Sequence, residues 1–214
     1  VFVGLWPWLW HDTLARVAAY VRFHTHHAYY NMAYFGVNYF WPPFPASYAW
    51  VMTLYTVPVT TLLLATGGVA TEVCALIEGL RRRLGVRSPV SVEAGASGDP
   101  TFANVLLFGV LFAPLVVISL PSTPIFGGTK HWMSAYPFLA LFAGLGFARA
   151  VDAYEAALGR RPRRAARRLV RLFPPLAGLL LLAPAAVETA HAHPFALSHY
   201  GFAAGFVPGA ADRG

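Results

Sequence analysis

The feature that most constrains the fold is a set of four long stretches without charged residues. A bilayer core about 30 Å thick is crossed by about 20 helical residues, and such runs are typical of transmembrane helices. The last run is completed at its interface by Glu188, Thr189 and Ala190. We therefore predict spans at 49–70, 102–120, 132–148 and 172–190, with the helical pattern of the first continuing to 80 as an alternative.

The composition agrees with a membrane protein. Hydrophobic residues make up 57% of the 214 residues and charged residues only 12%, whereas soluble domains carry about 25% charged residues. We predict one membrane domain over 1–214, an all-α polytopic transmembrane helical bundle. Residues 1–10 are expected to be the end of a fifth span, which makes the chain a piece of a longer protein.

Basic residues predict the orientation of the spans. Twelve of the 16 lie in two connections, after the first and third spans. They are Arg81, Arg82, Arg83 and Arg87, then Arg149, Arg160, Arg161, Arg163, Arg164, Arg167, Arg168 and Arg171. The positive-inside rule places both connections in the cytoplasm and all eight histidines outside an inner (cytoplasmic) membrane. Because topology accounts for the arginines, we expect no nucleic-acid partner.

Two outer segments remain, at 11–48 and 191–214. In the first, Asp12 or Thr13 can cap a helix, and apolar residues mixed with Arg16 and Arg22 predict an amphipathic interfacial helix over 14–30. The aromatic residues that follow suit the headgroup region. The alternative is an anchor in contact with membrane lipid that takes no part in chemistry.

Small polar clusters on the outer side are candidate sites. Lys130 is the only lysine, follows Gly127 and Gly128, and precedes His131, a pattern that suits a phosphate group. The alternative is a loop lysine that merely reaches the interface. His24 and His27 lie one helical turn apart and could ligate a divalent metal, but no carboxylate accompanies them.

Acidic residues offer little by themselves. Asp12 and Glu188 are the acids nearest the outer surface, and we assign neither a catalytic role. Glu78 is expected to pair with Arg81 or Arg82 on its helix. Nothing in the sequence supports a proton relay through Glu72.

An ordered set of motifs resembles the bacterial dolichyl-phosphate-mannose-protein mannosyltransferase-like enzymes, which are lipid-carrier-dependent glycosyltransferases of the GT-C class. The set comprises Trp6-Pro7-Trp8-Leu9-Trp10, Tyr34-Phe35-Gly36, Pro42-Pro43 before a threonine-rich span around Pro58, Lys130-His131 before Ala135-Tyr136-Pro137-Phe138, and His193-Pro194-Phe195-Ala196-Leu197-Ser198-His199-Tyr200. The chain departs from the family pattern at Gly201 and Phe206.

The resemblance implies a GT-C-like bundle that moves a sugar from a polyprenyl-phosphate donor to a hydroxyl of a protein, lipid or glycan acceptor. It implies donor-phosphate binding by Lys130, His131 and Arg22, and substrate-facing roles for His193, His199 and Tyr200. The family's catalytic carboxylate lies before the first residue of this chain, so no catalytic residue is expected within it.

A secondary transporter or a non-catalytic membrane subunit is the alternative. Transporters often combine broken helices with ionisable residues near mid-membrane. Pro58 and Pro114 interrupt two predicted spans, but none of the four carries an ionisable residue at its centre. The concentration of polar residues on one surface therefore favours an interfacial enzyme.

Overall fold

A computed structural model describes residues 2–26, 28–85, 100–125, 127–157, 164–194 and 199–213. Helices dominate, and they are joined by one small hairpin and several 3-10 turns. The helices are α1 (Phe2–Leu5), α2 (Thr13–Thr25), α3 (Tyr48–Thr56), α4 (Val59–Arg83), α5 (Pro100–Ser119), α6 (Tyr136–Ala157), α7 (Arg164–Ala192) and α8 (Phe206–Ala211). The hairpin strands are β1 (Met32–Tyr34) and β2 (Val37–Tyr39).

Four of the helical segments are long and apolar enough to cross a membrane. They are Val59–Arg83, Phe102–Ser119, Met133–Ala157 and Leu172–Ala192. Most of their surface is not buried against other helices, as expected for segments that face lipid. The predicted all-α polytopic helical bundle is therefore confirmed, and the protein is a multi-pass membrane protein.

The helix limits differ from the predicted spans where proline intervenes. The first predicted span, 49–70, is divided into α3 and α4 at Val57 and Pro58, and α4 continues to Arg83. Proline has no amide hydrogen to donate and disfavours the helical conformation in the residue before it; Val57 is accordingly extended, with φ −99° and ψ 135°. The third predicted span starts at 132, whereas its helix, α6, begins at Tyr136, because 3-10 turns at Gly128–His131 and Met133–Ala135 precede it.

The closest helix pair is α4 and α6, which run parallel. Gly68 and Gly146 face each other where these helices cross. A Cβ built on Gly68 would overlap the Phe142 carbonyl oxygen, and one on Gly146 would overlap that of Leu64. In lipid the hydrophobic effect does not drive helices together, so membrane helices associate through close packing. Small residues permit that packing because they let two backbones come into contact.

Alternating helix directions give the bundle two chemically different ends. The arginine end holds the last turn of α4, with Arg81, Arg82 and Arg83, and the starts of α5 and α7. The aromatic end holds the hairpin, α3, the end of α5, the turn 128–131 and the chain after α7. Its core contains Tyr34, Tyr48 and Trp132. Of the second arginine cluster, Arg160, Arg161 and Arg163 lie outside the described residues, as does Arg87 of the first.

A helix is present where one was predicted over 14–30, but it is shorter than predicted. Helix α2 ends at Thr25, and residues 28–31 are irregular before the hairpin begins. Phe35 and Gly36 both have positive φ, 49° and 75°, as a tight two-residue hairpin turn requires. Thr25, an aromatic residue and several histidines form the helix end, and all of these are weak helix formers. Of the two capping candidates, Asp12 occupies the N-cap position of α2, but its side chain makes no capping hydrogen bond.

The first ten residues are likewise not one continuous helix end. Helix α1 stops at Leu5, and Pro7–Trp10 forms a 3-10 turn. Helix α2 packs against this turn, and the Thr13 hydroxyl donates to the Leu9 carbonyl oxygen at 2.6 Å. The proline explains the break in the same way as Pro58 does.

Candidate functional site

The turn that carries Lys130 and His131 is fixed by the residue that follows it. The Trp132 side chain has no exposed surface, and its indole Nε1 donates to the Thr53 hydroxyl at 2.8 Å. Its ring also packs edge-on against Tyr48, with 5.9 Å between ring centroids. The turn is therefore attached to α3 by one buried indole, while Lys130 itself remains exposed at the aromatic end.

Gly127 shapes the position of the lysine. Its φ of 74° is left-handed, and a Cβ there would overlap the end of the Lys130 side chain. The lysine therefore folds back over its own loop and does not extend away from the bundle. His131 is next in the same 3-10 turn and half-buried.

The third residue assigned to donor phosphate comes from a different part of the chain. Arg22 lies on α2, which packs against the turn at residues 7–10. The side chain of His24 and all of His27 lie outside what the structure describes. Among the described residues, no three His, Cys, Asp or Glu side chains come together in a way that could hold a metal ion. The divalent-metal hypothesis thus gains no support from this part of the chain.

Phenol groups gather around the start of α3. The Tyr34 hydroxyl lies 2.9 Å from the Ser47 hydroxyl, and its ring packs edge-on against Tyr48. Burial, with smaller contributions from the phenols of Tyr200 and Tyr34, raises the pKa of Tyr48 to about 12. Tyr48 therefore stays neutral at any physiological pH.

Glu188 is the most distinctive side chain of this end. It lies near the end of α7, yet only 7% of the residue is exposed. Its Oε2 is 3.4 Å from Nε2 of His199, and its Oε1 is 3.5 Å from the Phe202 backbone amide. Oε2 is buried and accepts no hydrogen bond from the residues that the structure describes. Buried polar atoms without partners are rare in native proteins, and each calls for an explanation.

Gly201 brings the chain after α7 back to this carboxylate. Its amide donates to the Tyr55 carbonyl oxygen at 2.6 Å. A Cβ on Gly201 would stand 3.1 Å from Oε2 of Glu188 and 3.4 Å from that carbonyl oxygen. Glycine thus lets three elements meet at one point: the end of α3, the end of α7 and the returning chain.

The structure places some of the residues predicted to face substrate near Glu188 and others away from it. His199 and Tyr200 are half-buried at the aromatic end, near Glu188 and Tyr48 respectively. His193 is exposed just after α7, and the motif residues 195–198 lie outside the described residues. Sequence reasoning noted Glu188 but assigned it no role. The one feature of the sequence that could have singled it out is its position directly after the fourth uncharged run.

A second buried carboxylate lies toward the arginine end. Glu72 of α4 accepts a hydrogen bond from the Asn104 side-chain amide at 2.9 Å and lies 3.8 Å from an Arg149 nitrogen. Helix α4 is longer than the predicted first span, so one membrane-length helix does contain a buried acid. Glu78 pairs with Arg82 at 3.2 Å, which confirms the predicted structural ion pair.

Comparison of the chain with protein-family models, curated proteins and solved structures gives no match.

Proposed function

We propose that this protein belongs to an integral membrane glycosyltransferase that moves a sugar from a polyprenyl-phosphate donor to an acceptor hydroxyl. The observation that carries the proposal is the aromatic end, where the basic turn of Lys130 and His131 and the buried Glu188–His199 pair occupy the same end of four membrane-length helices. A lipid-linked substrate can reach such an end from the bilayer, with its polar part at the surface.

The chemistry assigns a separate role to each group. The acceptor oxygen forms a bond to the anomeric carbon, the bond from that carbon to the carrier phosphate breaks, and the hydroxyl proton passes to a base. The departing phosphate gains negative charge, and cationic groups placed where that charge develops lower the barrier. Lys130, His131 and Arg22 are proposed to supply them, and the motif resemblance supports the same assignment.

Sidedness is part of the proposal. Arg81, Arg82 and Arg83 lie at the end opposite the aromatic one, and the positive-inside rule favours that end in the cytoplasm. The transfer would then occur on the outer face of the inner membrane. Protein, lipid and glycan hydroxyls all fit as acceptors.

A transporter is the second candidate, and Glu72 is the observation that favours it. A buried acid in a membrane helix is costly and often functional. However, Arg149 beside it is 57% exposed, so the group opens to the arginine end. The Glu72 group therefore fits a connection between helices better than a path through the membrane.

The test is sugar transfer by the protein with its native flanking sequence, reconstituted in liposomes with polyprenyl-phosphate sugars. Lys130→Ala should raise the donor concentration needed for half-maximal rate by about tenfold, the value of one charge-assisted contact. Lys130→Arg should keep part of the function, because it retains the charge. Arg81→Ala removes one positive charge at the opposite end and is the matched control.

Two results would contradict the proposal. One is the absence of transfer from every polyprenyl-phosphate sugar in a panel covering the common hexoses. The other is a Lys130→Ala variant whose donor dependence and maximal rate equal those of Arg81→Ala, which would reduce the turn at 128–131 to a connector.

A further inference from the structure

Oε2 of Glu188 pairs with His199 but accepts no hydrogen bond from the residues that the structure describes. Oε1 faces the Phe202 amide, and Oε2 faces His199 at 3.4 Å without receiving a hydrogen bond from the described residues. An acceptor left unsatisfied in a buried position costs about 1–3 kcal/mol, and more when it is charged. A ligand that donates a hydrogen bond to this oxygen would remove the cost, and its binding free energy would be more favourable by that amount.

The neighbours of Oε2 restrict which donor fits. The Tyr55 carbonyl oxygen lies close to the carboxylate; it accepts from the Gly201 amide and has a second lone pair for another donor. Two acceptors close to one another favour a group that carries hydroxyl donors. A phosphate is disfavoured, because its charge would be repelled by the carboxylate.

Aromatic side chains lie on the elements that meet at Glu188. Tyr55 lies 6.5 Å from Phe35 and 5.8 Å from the Arg213 guanidinium, measured to ring centroids. Phe202 and Phe206 lie 6.4 Å apart, and both belong to the chain that returns to Glu188. Ligand sites commonly combine aromatic surface with a few placed polar groups, and saccharides present both hydroxyl groups and apolar C–H faces.

We propose that Glu188, oriented by His199, binds a saccharide hydroxyl at the aromatic end. This inference rests on the proposed function and divides the site: the Lys130 turn takes the phosphate of a lipid-linked sugar, and Glu188 takes a hydroxyl of the sugar. A side chain at Gly201 would contact Oε2, so glycine leaves this oxygen free of a covering methyl group. His199 is a positioning residue, since its contact is with the carboxylate.

The experiment measures binding separately from transfer. The protein with its native flanking sequence is placed in lipid nanodiscs, and saturation-transfer NMR follows the methyl glycosides of mannose, glucose and galactose. At least one should bind, and its fully O-methylated form, which has no hydroxyl donors, should not. Glu188→Gln should weaken binding by about tenfold, the loss of one hydrogen bond to a charged group.

Two further variants make the result specific. Gly201→Ala keeps every charge but places a methyl group 3.1 Å from Oε2, and its backbone, with φ −80°, accepts alanine without strain. It should weaken binding even if Glu188→Gln does not fold. Glu72→Gln changes the other buried carboxylate and should leave binding unchanged. Thermal unfolding of each variant checks that the fold is intact.

The outcomes separate this inference from the proposed function. Absence of glycoside binding, or equal binding by wild type, Glu188→Gln and Gly201→Ala, overturns the assignment of Glu188 whether or not sugar transfer is observed. Binding that depends on Glu188 in a protein that transfers no sugar would retain the saccharide site and overturn the transferase.

Discussion

The contact between α4 and α6 gives the sharpest test of the fold. Gly68→Ala adds one methyl group at the point where the two helices touch. That methyl would stand 2.8 Å from the Phe142 carbonyl carbon and 3.0 Å from the Gly146 amide nitrogen. Favourable carbon–carbon contacts begin at about 3.5 Å, so the helices must separate by about 0.7 Å or more.

The expected magnitude follows from which atoms collide. Backbone atoms of Phe142 and Gly146 cannot rotate away, unlike the end of a side chain. Overpacking of this kind costs about 1–3 kcal/mol, whereas alanine in place of a helical glycine gains up to about 1 kcal/mol. We expect Gly68→Ala to lower the free energy of unfolding by about 2 kcal/mol.

Gly67→Ala is the matched control, because it lies on the same helix and a Cβ there meets no atom within 4 Å. It should be neutral or slightly stabilising. The assay is reversible unfolding in mixed micelles of a mild detergent and dodecyl sulfate, followed by circular dichroism.

A coupling measurement sharpens the test. Gly146→Ala affects the same crossing, so the double variant with Gly68→Ala should cost less than the sum of the single variants, since helices that have already separated admit the second methyl. If Gly68→Ala proved as stable as Gly67→Ala, the close crossing of α4 and α6 would be wrong. Fully additive costs would place the two glycines in separate contacts.

Three further predictions concern the two ends of the bundle. Trp132→Phe should lower the free energy of unfolding by about 2–4 kcal/mol, because it leaves a cavity and breaks a buried hydrogen bond. The control Trp41→Phe, at a side chain 72% exposed, should change it by no more than about 0.5 kcal/mol. Equal losses would contradict the role of Trp132 in attaching the turn at 128–131 to α3. The folded pKa of Tyr48 is raised to about 12, so its contribution to stability is complete below the unfolded value of about 10 and is lost as pH rises through 12. Tyr48→Phe should therefore flatten the alkaline fall in stability between these values, and an unchanged profile would show that other groups cause it. In a cysteine-free background, an impermeant thiol reagent on intact cells should label Gly128→Cys and spare Arg164→Cys; the reverse pattern would invert the proposed orientation.

The sequence by itself determined the class of fold. Four uncharged runs can satisfy their backbone polar groups in lipid only as helices, so their number and approximate position follow without tertiary information. Local chemistry also explains the break at Pro58 and the ion pair of Glu78 with Arg82, because both depend on residues within one turn of the chain.

Tertiary structure decided which residues meet. Glu188 lies on α7 and His199 after it, and no local pattern brings the two side chains together. Gly201 contacts Tyr55, which belongs to a distant element. The burial of Glu188 likewise depends on the returning chain, so the carboxylate is indistinguishable in sequence from an ordinary acid at a helix end. The close approach of α4 to α6 could not be predicted from the sequence for the same reason. Gly68 lies at a helix crossing only because Gly146 lies opposite it, and the tertiary packing determines which residues face each other.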